Sequence, residues 1–127
     1  MVTANLIAGW LGVLAGVVCG AGIGLFFHRD DWMGGYDSYR RRLTRLGHIS
    51  FFGIGLINLA FAATASQLAL SAAYGYVASR ALIVGAITMP LVCFLSAWRK
   101  PMRHFFAVPV VAVLAGILAI LIGGWRQ

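Results

Sequence analysis

The chain has 127 residues, of which 61% are apolar and 10% charged, against roughly a quarter charged in soluble domains. That excess of apolar surface excludes an ordinary soluble fold. The net charge of +7 does not point to nucleic acid, because the basic residues lie in short connections beside apolar runs and not along a groove or tail.

A membrane-crossing helix needs about 20 predominantly apolar residues. Four segments meet that length, at about 5–28, 47–70, 74–98 and 104–125. The expected fold class is therefore an all-α integral membrane protein, a single four-helix transmembrane bundle covering residues 1–127. The N-terminal run MVTANLIAGW carries no basic stretch and reads as the first membrane helix rather than as a cleavable signal.

The first span holds Gly12, Gly16, Gly20 and Gly24, with Gly9 extending the row. Such GxxxG spacing lines one helix face and permits close backbone approach, so these glycines are expected to pack on a neighbouring span or on a second protomer. His28 ends this span. The first connection, Arg29 to Arg45, contains all three carboxylates (Asp30, Asp31 and Asp37), a Gly34-Gly35 break, and then a segment expected to extend the second helix. In that segment Tyr36, Tyr39, Leu43 and Leu46 alternate with Arg40, Arg41 and Arg45 at helical spacing. This pattern suits a headgroup-lying helix whose arginines contact lipid or another anion, or a docking face for an acidic subunit.

The second span opens with His48, which shares a helical face with Gly55, Ala62 and Ser66, and places Asn58 near its middle, with Gln67 and Asn5 of span one nearer the outer surface. Amides at these depths usually hydrogen-bond between helices. An uncharged turn near 71–75 leads to the third span, where Arg80 lies about six residues inside. No span contains an acid to pair with it, so Arg80 reaches the interface by snorkelling or meets an external anion. Ala78, Ala81 and Gly85 form a small-residue face. Pro90 and Pro109 are expected to interrupt the helical ladders of spans three and four. The third connection, Arg99 to Arg103, is basic and contains Pro101. Span four begins at His104 and carries the stripe Ala112, Gly116, Ala119 and Gly123.

Cys19 and Cys93 sit in apolar runs and read as small packing residues. His28, His48 and His104 fall at one expected depth. Imidazoles from different helices could hold a b-type haem or a transition metal, yet the spacing matches no compact metal motif. Interfacial histidines bonded to lipid or backbone are the plainer alternative.

Function follows only coarsely. The expected role is a small subunit of a larger membrane complex, contributing assembly and helix packing, with the histidines as candidate ligands for a haem or metal. A b-type-cytochrome-like electron-transfer module is the alternative, ahead of a small transporter or a lipid- or quinone-binding protein. Expected partners are the bilayer and other membrane subunits or further copies of the chain, not nucleic acid, and a stand-alone enzyme is not indicated. The expected location is multi-pass, in a membrane of the bacterial inner type.

Alternation of the spans puts the first and third connections on one side. Together they hold Arg29, Arg40, Arg41, Arg42, Arg45, Arg99, Lys100 and Arg103, against Arg80 and Arg126 toward the other. By the positive-inside rule these connections are cytoplasmic and both termini face outward. Trp98 at one boundary and Tyr74, Tyr76 and Trp125 at the other suit the interfacial preference of amphipathic rings. A cysteine introduced at Gly34 should be blocked by impermeant maleimide only after the membrane is opened, and one at Ser71 without opening; the reverse pattern refutes the orientation.

Overall fold

The computed structural model describes residues 2–125. Four helices follow one another, α1 over Val2–Phe26, α2 over Tyr39–Thr64, α3 over Ala72–Trp98 and α4 over Ala107–Trp125. The described residues contain no strand. Each of α1, α2 and α3, and α4 with the 3-10 turn that leads into it, is long and apolar enough to cross a membrane. Arg126, counted above in the charge asymmetry, lies outside the described residues.

Helix starts and stops have local causes. Ser38 caps α2: its Oγ accepts the Arg41 backbone N–H at 3.1 Å and donates to the Met33 carbonyl at 2.8 Å. The cap fixes the start of α2 at Tyr39, well ahead of the apolar run, so the arginine-bearing segment is the first two turns of the second helix. At the far end α2 stops at Thr64, short of residue 70. Residues 65–69 form turns, with Ala69 at a positive φ of 44°. Tyr74 and Gly75, expected at the turn, instead lie in the first turn of α3. Pro90 sits buried inside α3. Pro109 does not interrupt a ladder: it is the third residue of α4, where the N–H it lacks has no intrahelical acceptor. A 3-10 helix, Lys100–Phe106, precedes it.

Helices α2 and α3 form the centre, with α1 packed chiefly on α2, α3 packed on α2, and α4 packed chiefly on α3. The α1–α2 seam is built on glycine. A Cβ at Gly12 would stand 3.0 Å from the Phe51 carbonyl oxygen and 3.2 Å from the Gly55 Cα, and one at Gly16 would stand 2.6 Å from the Phe52 ring. At Gly20 the obstacle is the His48 ring. The row ends there, because a Cβ at Gly24 would meet nothing within 4 Å. Of the two expected packing partners, a neighbouring span or a second protomer, Gly24 faces no other helix of this chain.

The α3–α4 seam repeats the device in reverse, with side chains of one helix filling glycine sites on the other. Leu82 occupies the space beside Gly116, and Tyr74 that beside Gly123. Phe61, Ala78, Leu82 and Ala119 form the buried core where α2, α3 and α4 meet. Since lipid is as apolar as these side chains, such close fit is what holds the helices together.

Gly12→Leu should destabilise the chain by about 1–3 kcal/mol, since backbone rather than a movable side chain blocks the new atoms. Gly24→Leu should leave stability within about 0.5 kcal/mol of the parent, as expected for a site without contacts. Denaturant unfolding in detergent micelles followed by circular dichroism checks the pair, and equal stabilities would contradict the seam.

Candidate functional site

Two polar constellations lie at opposite ends of the helices. Toward the end distal to the arginine-rich connections, Asn5 of α1, Asn58 of α2 and Ser79 of α3 meet in the interior, each at most 3% exposed. The Asn5 amide Nδ2 donates to Asn58 Oδ1 at 2.7 Å and to the Ser79 carbonyl at 3.3 Å. Ser79 Oγ returns a bond to Asn5 Oδ1 at 2.5 Å. Asn58 Nδ2 donates to the carbonyls of Ile54 at 2.9 Å and Leu82 at 3.2 Å. Both amides thus use both hydrogens and their oxygen. Gln67, grouped with them by sequence, is exposed in the turn after α2.

At the other end, Arg41 is only 2% exposed. Its Nη2 donates to the Phe27 carbonyl at 3.1 Å and its Nη1 to the Arg29 carbonyl at 3.4 Å. These oxygens lie just past the end of α1, so the guanidinium acts as a C-terminal cap in trans and meets the negative end of the helix dipole. The rings of Phe27, Tyr36 and Trp32 surround it, their centroids 5.0, 5.2 and 5.5 Å from its central carbon. Arg41, expected on the headgroup face, is turned inward because its register on α2 faces α1. The connection reaches it through a turn in which Met33, Gly34 and Gly35 all have positive φ, 56°, 88° and 97°.

The neighbouring cations are used in the same way. Arg40 stacks over Trp98 at 4.7 Å and donates to the Ala97 carbonyl at 3.4 Å, tying α2 to the end of α3. Arg45 lies over Tyr36 at 4.4 Å. Each such contact is worth about 0.5–2 kcal/mol, more as water is excluded.

The three histidines have unlike surroundings. His28, in the turn after α1, and His104, in the 3-10 helix, are exposed. His48 is half-buried against Gly20 and meets Phe52 edge-on at 5.4 Å; its Nδ1 is buried with no hydrogen-bond partner. Among the described residues no three His, Cys, Asp or Glu side chains come together as a metal site. Cys19 is half-buried and Cys93 buried, both as free thiols.

Arg80 is exposed on α3, its guanidinium 5.3 Å from the Tyr76 ring. It stands at the edge of an otherwise apolar groove between α1 and α3 of about 830 Å³. A second groove, of about 290 Å³, is lined wholly by apolar surface of α3, α4 and the intervening turn. Neither is lined by a histidine.

Sequence reading had the amides but not Ser79, whose partner Asn5 is 74 residues away. It also missed the aromatic cage, although the clustering of Phe27, Trp32 and Tyr36 around one connection was a usable signal. No protein-family model, curated protein or solved structure matches the chain.

Arg41→Gln should loosen the connection by about 1.5–3 kcal/mol, the range for a hydrogen bond to a charged group. Amide exchange over residues 27–38 should accelerate accordingly, while the exposed control Arg42→Gln leaves it unchanged. Equal exchange in both variants would show that the cage does not hold the connection.

Proposed function

We propose that this chain is a small integral membrane subunit that contributes assembly and helix packing to a larger membrane complex, as a partner in structure rather than as a catalyst. The observation that carries this reading is a set of outward glycines. Gly22 and Gly24 of α1 and Gly53 of α2 are exposed, and a Cβ at any of them would meet nothing within 4 Å beyond its own helix backbone and chain neighbours.

Glycine costs a helix roughly 1 kcal/mol relative to alanine. At Gly12 or Gly16 that cost is offset by the α1–α2 seam. At Gly22, Gly24 and Gly53 nothing within the chain offsets it, whereas a helix of another subunit could approach closely there. The buried amides support the same reading, because their hydrogen-bonding capacity is spent among themselves and on backbone carbonyls.

A second reading, electron transfer through a b-type haem, has the unpartnered Nδ1 of His48 in its favour. The expected cytoplasmic placement of the arginine-rich end belongs to either reading.

Gly24→Leu and Gly53→Leu should each leave the fold intact yet release the chain from its complex. Native mass spectrometry in mild detergent reads the outcome: the parent runs in an assembly above its own 13.6 kDa, and the variants run as single chains. A parent that runs alone, or variants that stay assembled, overturns the assembly role. A Soret band lost in His48→Ala would assign electron transfer instead.

A further inference from the structure

Among the described residues Arg80 is the one cation away from the arginine-rich end. Its contact is an aromatic face, Tyr76, one helical turn earlier, which leaves the guanidinium edge free to donate. The three carboxylates all lie in the α1–α2 connection, about 30 Å away along α1 at 1.5 Å per residue. Among the described residues no carboxylate is therefore within reach of Arg80, and an anion drawn to it comes from elsewhere.

The groove beside Arg80 narrows what that anion is attached to. Ala8, Gly12 and Ala15 of α1 and Ala86 of α3 hollow its walls, and Phe51 and Phe94 line its far end. It exists because α1 and α3 both pack on α2 and touch each other only lightly. From Arg80 to Phe94 it follows 14 residue steps of α3, and from Ala4 to Ala15 it follows 11 steps of α1. These correspond to about 16–21 Å of helix, somewhat more than the ~15 Å half-thickness of a hydrocarbon core and about the length of an extended acyl chain.

An occupant that fills the groove and meets Arg80 thus carries one anionic head and an apolar tail of about that length. A partner helix would have to bring its own carboxylate to the depth of Arg80, and an acid inside a span is costly, whereas a lipid brings its anion as a headgroup. Free phosphate has no use for the apolar walls.

We propose that the α1–α3 groove is a binding site for one anionic glycerophospholipid, its phosphate on the Arg80 guanidinium and an acyl chain laid along Ala8, Gly12 and Ala86 toward Phe51 and Phe94. Arginine suits this role because its planar fork of N–H donors matches two phosphate oxygens at once. Small residues on the walls let the chain lie in the groove and not merely against it. The site is separate from the outward glycines, so failure of either proposal leaves the other standing.

The test uses the full chain, delipidated in detergent and titrated with palmitoyl-oleoyl phosphatidylglycerol or with phosphatidylcholine of the same chains, read by native mass spectrometry. The parent should retain a single phosphatidylglycerol in preference to phosphatidylcholine by on the order of tenfold, because the choline cation offsets the charge of the same phosphate and repels Arg80. Arg80→Gln should abolish the preference, and Arg80→Lys should keep part of it. Ala86→Phe and Ala8→Phe fill the groove from opposite walls with Arg80 intact, and each should remove the bound lipid; having two keeps the test decisive if one fails to fold. Equal retention of both lipids, or unchanged retention in Arg80→Gln, overturns the proposal. So does full binding by the groove-filled variants, which would make Arg80 a surface contact only. A photo-crosslinker at Ile83 that labels a protein helix and not lipid overturns it as well.

Discussion

Three helices of this protein are joined by a closed set of hydrogen bonds, and the constraint behind it governs the rest of the molecule. A polar group that enters hydrocarbon has no water to turn to, so it must find its partner inside the protein. Asn5, Asn58 and Ser79 meet that demand with one another and with the carbonyls of Ile54, Ser79 and Leu82. The bonds are directional, so they set the rotation and height of α1, α2 and α3 together. Shape fit alone does this less sharply on a smooth glycine face.

Once that register is set, the other contacts follow. Gly12 comes opposite Gly55, and Gly16 and Gly20 receive the rings of Phe52 and His48. Two turns of α2 then project beyond the apolar run and carry Arg41 beneath the end of α1, where the Phe27 and Arg29 carbonyls lack helical partners. Rings from the same connection close around the guanidinium. The two ends are stabilised by different chemistry for a physical reason. Amides serve where the surroundings are hydrocarbon, because an unpaired charge there costs several kcal/mol. Cations serve at the arginine-rich end, where carbonyl oxygens and ring faces take the place of the water that buried Arg41 has lost.

The same register leaves the groove. With α1 and α3 both committed to α2, their facing surfaces do not close, and small residues keep the space between them open. Arg80 lies at its edge as a charge without an acid in any span. The helix faces turned to lipid thus divide into three kinds: bulky apolar surface as on Leu14 and Val111, outward glycines, and a groove with one cation.

Sequence by itself determined the four helices, because length and hydropathy against a bilayer admit few other structures. It also identified the amides and the glycine row as packing devices, and Arg80 as an uncompensated charge, since each follows from composition and spacing along a single helix. What it did not determine was which helix each feature faces. Gly24 shares the spacing of Gly20 yet has no neighbour; Arg41 shares a segment with Arg42 yet is buried; His28, His48 and His104 share an expected depth yet do not come together as a metal site. Pro109 reads as an interruption until the start of α4 is known. These outcomes depend on rotation about the helix axes and on where helices end, and both are set by contacts between residues far apart in the chain, such as Asn5 with Ser79. Periodicity specifies a face, and only the tertiary structure specifies what that face meets.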